Sequence, residues 1–278
     1  MRNLICYTGN CFDAFKEAVD RKTDPIGQAN LRAEYATLQI KYHRYDTLFL
    51  TNELENLVQD NILNSIEKEL SGLYNADNVI VNEIRRRVQM SQDRSIRYKC
   101  QYCTIETANT MDHIVAQGQF PEFAIHPKNL APSCGTCNLL KGERWRVGTE
   151  KNMINFYLDK LPEVGYLRAE IELDQFNEID FKFVLYYTPG TPIEIYQLIL
   201  SHFTKLHLRK RMREAAIGDF GEFHREMKVR YANGESRDSL SNTTLESCKD
   251  DRKVLGINHW KPVMKEGLIN SEVFWNSL

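Results

Sequence analysis

Two Cys-x-x-Cys pairs, Cys100/Cys103 and Cys134/Cys137, constrain this chain more than any other feature of its sequence. Each two-residue loop lets both sulfurs reach one ion, and four thiolates complete a tetrahedral zinc site. The spacer between the pairs is 30 residues, 104–133, longer than a simple zinc ribbon needs. Something is therefore expected to be built between the knuckles. The insert carries Asp112-His113 and Asn129, and the second pair is followed by Asn138 and then Lys141-Gly142. These polar groups suit phosphodiester hydrolysis. Zinc is expected as scaffold and the insert as active site.

The bulk of the sequence narrows the class. A chain of 278 residues suits one large or two to three small domains. Its 42% hydrophobic and 27% charged content is ordinary for a soluble globular protein. A formal charge of -2 argues against a uniformly basic nucleic-acid binder, although local basic stripes set binding more than the total does. Of the seven cysteines, Cys6, Cys11 and Cys248 lie outside the knuckles and read as ordinary reduced thiols. An odd count, with no apolar leader in Met1-Arg2-Asn3-Leu4-Ile5, fits a reducing cytoplasm. No apolar run approaches the roughly 20 residues of a membrane helix, so no membrane partner is expected. The absence of a Gly-x-x-x-x-Gly-Lys phosphate loop argues against ATP hydrolysis by this chain itself.

The expected fold class is α+β, in three regions. Residues 1–95 read as a mostly helical domain. Its clearest helix runs Thr51 to Leu70 on Leu54, Leu57, Val58, Ile62, Ile66 and Leu70, with Ser71-Gly72 as its stop. A second helix covers Val79 to Met90. Residues 96–148 form the zinc-bearing core. Residues 149–278 hold a short helix at Lys151 to Leu161, then a hairpin of two alternating strands between Tyr166 and Tyr187 with its turn near Asn177-Glu178. Thr191-Pro192-Ile193-Glu194 has a capping-box pattern, and the helix it opens continues to Leu206. Ala232 to Asp251 reads as a flexible connection, and Trp260, Phe274 and Trp275 mark a terminal segment that docks on the body or on a partner.

Taken together, Cys100/Cys103, Asp112-His113, Asn129, Cys134/Cys137, Asn138 and Lys141-Gly142 resemble the HNH endonuclease family. The resemblance covers residues 96–148. It implies a ββα-metal finger holding one catalytic divalent cation, with Zn2+ as a structural ion on the four cysteines. His113 is then the general base, since imidazole titrates near neutrality and can take a proton from water. On a strand, Asp112 points to the opposite face, where its hard oxygen suits Mg2+ or Mn2+. Asn138 is the second ligand through its amide oxygen. The commonest family pattern has His there, and the Asn resembles the HNH domain of RNA-guided DNA cutters. Asn129 holds the loop between the strands and orients His113, and Lys141, one helical turn after Asn138, contacts phosphate. Tyr102, beside the site, is a candidate for stacking on bases.

The resemblance implies a metal-dependent endonuclease acting on DNA, though no base-reading element distinguishes DNA from RNA. Two basic stretches are candidates for phosphate contact. Ile84 to Cys100 holds six Lys or Arg against one Asp, with Arg97 and Lys99 nearest the knuckle. Lys205 to Arg213, including Arg209, carries five positive charges and no acid. HNH proteins with large helical flanks also resemble effectors of bacterial anti-phage systems, some paired with a separate ATPase, which implies a gating partner. The alternative is a catalytically inert, zinc-stabilised nucleic-acid-binding or adaptor module, motivated by the near-neutral charge and by Asn138.

Overall fold

A computed structural model describes residues 1–75 and 78–278. The chain forms two compact units. One comprises Asn3–Tyr102 and Glu106–Lys160; the other comprises Leu161–Leu278 with Met1–Arg2 and Cys103–Ile105. The class is α+β as expected, with long helices and small antiparallel sheets.

The first unit begins with α1 (Cys11–Asp20), which buries Cys11, Ala14, Phe15, Ala18 and Val19 at helical spacing. Asn10 caps it, its side chain accepting from the amides of Phe12 and Asp13. Then come α2 (Pro25–Ala33), α3 (Tyr35–Leu50), α4 (Glu67–Ser71) and α5 (Val79–Met90). Here α5 occupies the expected range, with Ile80, Val81, Ile84 and Val88 buried. The expected Thr51–Leu70 helix does not form. Asn52 takes a left-handed conformation (φ 58°), Asp60 turns the chain by accepting from the Ile62 amide, and only short 3-10 turns at Leu54–Asn56 and Asn64–Ile66 precede α4. Leu54, Leu57, Leu63, Ile66 and Leu70 are buried all the same, whereas Val58 and Ile62 face out. Most of these apolar residues do belong to the core, but the left-handed Asn52 and the backbone bond taken by the Asp60 side chain break the helix.

After α5 come β1 (Thr110–His113), β2 (Leu130–Ser133) and α6 (Gly135–Lys141). The strands pair antiparallel, Asp112 opposite Ala131 and His113 opposite Leu130. This is the expected strand-strand-helix order. One hydrophobic core joins residues of α1, α3 and α5 to Met111, Ile114, Val115, Phe123 and Leu130 around the strands. A two-residue ladder of β3 (Arg146–Val147) and β4 (Glu150–Lys151) follows. The expected helix at Lys151–Leu161 is absent. Asn155 and Asp159 bond the local backbone instead, closing one turn through Tyr157 N to Asn155 Oδ1 and Asn155 N to Asp159 Oδ2.

In the second unit β5 (Leu167–Leu173) and β6 (Ile179–Leu185) form the expected hairpin in full register, turning at Asn177 in a left-handed conformation (φ 64°). Then α7 (Ile193–Lys205) ends with Leu206 as its C-cap, and the left-handed His207 starts α8 (Leu208–Ala232) afresh. The capping box is not made. Thr191 Oγ1 is buried with no hydrogen-bond partner among the described residues. The expected flexible connection is the helix α9 (Arg237–Leu255), capped by Ser236 and burying Leu240, Thr244 and Cys248. A stripe spaced by four, thin among polar residues, is enough to hold it. The chain closes with α10 (Trp260–Ile269) and α11 (Glu272–Trp275). Phe274 stacks on Phe223 of α8, which docks the terminus within its own unit. Gly267 of α10 lets the helix lie on β5, since a Cβ there would fall 2.6 Å from the Ala169 carbonyl oxygen.

Candidate active site and metal centre

The knuckles are built by local backbone. Lys99 and Thr107 pair across the first as an antiparallel bridge. In the second, Cys134 is the N-cap of α6. The four sulfurs of Cys100, Cys103, Cys134 and Cys137 all lie within 4.8 Å of one another, and all four residues are buried. Ile105 N donates to Cys103 Sγ and Cys137 N to Cys134 Sγ, both at 3.4 Å. Amide donors and a helix N-terminus aimed at sulfur favour thiolate over thiol. Donor set, burial and clustering together fit a structural zinc ion.

His113, half-buried at the end of β1, holds its Nε2 2.8 Å from the carbonyl oxygen of Ala124. A carbonyl only accepts, so Nε2 carries the hydrogen and the neutral ring keeps its lone pair on Nδ1. The Tyr74 ring packs edge-on at 4.4 Å, and Tyr74 is itself fixed by donating to the Met111 carbonyl. Burial lowers the His113 pKa to about 4, helped by the charge of Lys141 and opposed by the Ala124 bond. The imidazole is therefore neutral at physiological pH and able to accept a proton.

Asn129 acts one step back. Its Oδ1 accepts from Val115 N and Tyr45 Oη, and its Nδ2 donates to the carbonyls of Val115 and Phe123. With no exposure, it ties the loop bearing Ala124 to the end of β1, and none of these bonds goes to His113.

Asp112 faces the opposite side of β1, as alternation requires, and is 1% exposed. Tyr102 donates to its Oδ2 at 2.7 Å, and Lys141 Nζ lies 3.1 Å from Oδ2 and 3.2 Å from Oδ1. Burial pushes the carboxyl upward, with Lys141 and Tyr102 pulling the other way. Lys141 also donates to the His113 carbonyl and is 2% exposed. This corrects its expected placement: the ammonium is the buried counter-ion of Asp112, not a surface phosphate contact. Nor does Tyr102 face out for stacking on bases.

Asn138, half-buried on α6, reaches β1 by donating Nδ2 to the Met111 carbonyl at 3.3 Å. This leaves its Oδ1 as the amide atom for a cation. A carboxylate and an amide oxygen fit a hard divalent ion in kind. The Lys141 ammonium already pairs with Asp112, so a divalent cation there would share that carboxylate with it.

The other basic residues divide between the units. Lys99 is exposed, while Arg97 is half-buried and donates to the Gln92 carbonyl. Lys205 is half-buried near the end of α7 and Arg209 exposed on α8. Several neighbours are already paired: Arg86 and Arg87 with Glu83, and Arg213 with Asp180. Among the described residues no helix is long and apolar enough to cross a membrane.

With this geometry in place, residues 100–144 match the HNH endonuclease family, so an HNH domain coincides with the knuckles, β1, β2 and α6. The chain is also similar to Protein ea31 of Escherichia phage lambda, 25% identical over 206 residues. That match takes in 65% of this chain and 64% of the relative, whose full length the chain therefore does not span. No solved structure matches.

Proposed function

We propose that this chain is a metal-dependent HNH endonuclease that hydrolyses phosphodiester bonds of DNA. The pose of His113 carries the reading: one ring nitrogen fixed on the Ala124 carbonyl, the other left as acceptor, inside a segment that matches the family. His113 takes the proton of the attacking water at Nδ1. Asn129 keeps Ala124 in place. Asp112 and Asn138 would hold Mg2+ or Mn2+, which when bound supplies positive charge to the phosphate oxygens. Incubating end-labelled duplex with the protein in Mg2+, in Mn2+ and in EDTA tests this. Cutting only with a divalent ion supports it; cutting that is the same in EDTA overturns it.

One observation favours the inert-module reading. Asp112 is enclosed by Tyr102 and Lys141 and does not present its carboxylate to solvent. On that reading the protein binds nucleic acid without cleaving it. Divalent-dependent cleavage that disappears in Asp112→Asn removes this alternative.

The same proposal includes a role as effector of a bacterial defence system, with a protein partner such as a defence ATPase that releases the activity. Efficient cutting of plain duplex by the purified chain alone counts against such gating.

A further inference from the structure

The first unit buries a second cluster of metal-binding side chains away from the knuckles. Cys11 opens α1, Asp46 lies on α3, and His126 precedes the turn Pro127–Asn129. One ligand atom from each lies within 4.8 Å of the other two. Cys11 is 3% exposed and His126 0%. Neither ring nitrogen of His126 has a hydrogen-bond partner among the described residues, and Asp46 Oδ1 stands off at 3.8 Å from Nε2. Leaving a buried polar atom unsatisfied is costly, so a histidine with two such atoms calls for a ligand. The ring is held without polar help, between Tyr45 at 4.1 Å and Tyr42 at 4.5 Å, with Phe123 edge-on.

Two further features suit an ion. The Asp46 side chain is 32% exposed, which gives the cluster an opening to solvent. Lys128 donates to Asp46 Oδ1 at 2.8 Å, so this carboxylate already carries one cation and would share itself with a second.

We propose that Cys11, Asp46 and His126 form a second zinc site, with three protein ligands and the fourth position open toward Asp46. One thiolate, one imidazole and one carboxylate make a borderline-soft set that suits Zn2+ over Mg2+ or Ca2+. Zinc here would tie α1 and α3 to the loop on which Ala124 positions His113, two residues before His126. The site is therefore a staple for that loop. It stands or falls on metal content and does not depend on whether the HNH core cuts.

The test is metal content by mass spectrometry after equilibration with excess Zn2+ and desalting. The parent should hold two equivalents, and Cys11→Ser and His126→Gln one each. Because either variant can misfold, the Co2+-substituted parent supplies a second readout. A cobalt site with a single thiolate should add its own absorption to that of the four-thiolate site, and Asp46→Asn should shift it. One equivalent of zinc in the parent with only the four-thiolate spectrum overturns the proposal. So do two equivalents retained in both Cys11→Ser and His126→Gln.

Discussion

A histidine can take a proton only at a nitrogen that carries none, and in His113 the Ala124 carbonyl decides which one that is. The same burial gives a pH signature. Above pH 6.5 the residue is neutral in folded and unfolded chains alike. As pH falls from there toward about 4, the unfolded chain takes a proton that the folded chain refuses, so stability drops. The melting temperature of the parent should therefore fall more steeply between about pH 6.5 and 4.5 than that of His113→Gln. Parallel curves would remove the burial cost. Lys141 offers a second residue-scale prediction. Lys141→Met leaves Asp112 buried without its counter-ion, which should cost about 3–5 kcal/mol in urea unfolding. A surface lysine would cost within about 0.5 kcal/mol. The sequence shows Asp112, His113 and Lys141 in the types and order that the family resemblance implies. It does not show that Lys141 turns inward, because spacing along α6 gives a face and not a partner.

Elements are legible where periodicity stands alone and lost where side chains compete for the backbone. Helix α5 and the β5–β6 hairpin follow their patterns closely. The Thr51–Leu70 stretch has the helical period but also Asn52 and Asp60, and they win. Helix α9 shows the reverse error. Its Ser, Asn and Thr residues look like linker, while Leu240, Thr244 and Cys248 anchor it. Thr191 gives a direct check on capping. Its hydroxyl is buried and unpartnered among the described residues, so Thr191→Val should leave stability unchanged or raise it slightly. A working cap would instead lose about 1 kcal/mol in thermal or denaturant unfolding.

At the scale of the whole molecule, a net charge of -2 concentrates the question of DNA binding on a few basic side chains. Lys99 belongs to the unit with most of the HNH domain and Arg209 to the other. Runs of positive charge overstate the supply, because Arg86 and Arg87 share Glu83 and Arg213 pairs with Asp180. If both units meet the phosphates, Lys205→Glu with Arg209→Glu should weaken binding. The slope of log affinity against log salt should then become shallower by roughly 1 for each phosphate no longer neutralised, read by anisotropy in EDTA. An unchanged slope would mean that Lys205 and Arg209 meet no phosphate. Such pairing of charges is tertiary, and a linear sequence does not display it.

The most direct measurement is the initial rate of plasmid nicking by parent and His113→Ala, at equal zinc content and equal melting temperature in Mg2+ or Mn2+. Loss of a general base should slow the variant by about 10²–10⁴-fold. Equal rates from the two proteins would contradict the assignment of His113 as the base and, with it, the proposed chemistry of this site.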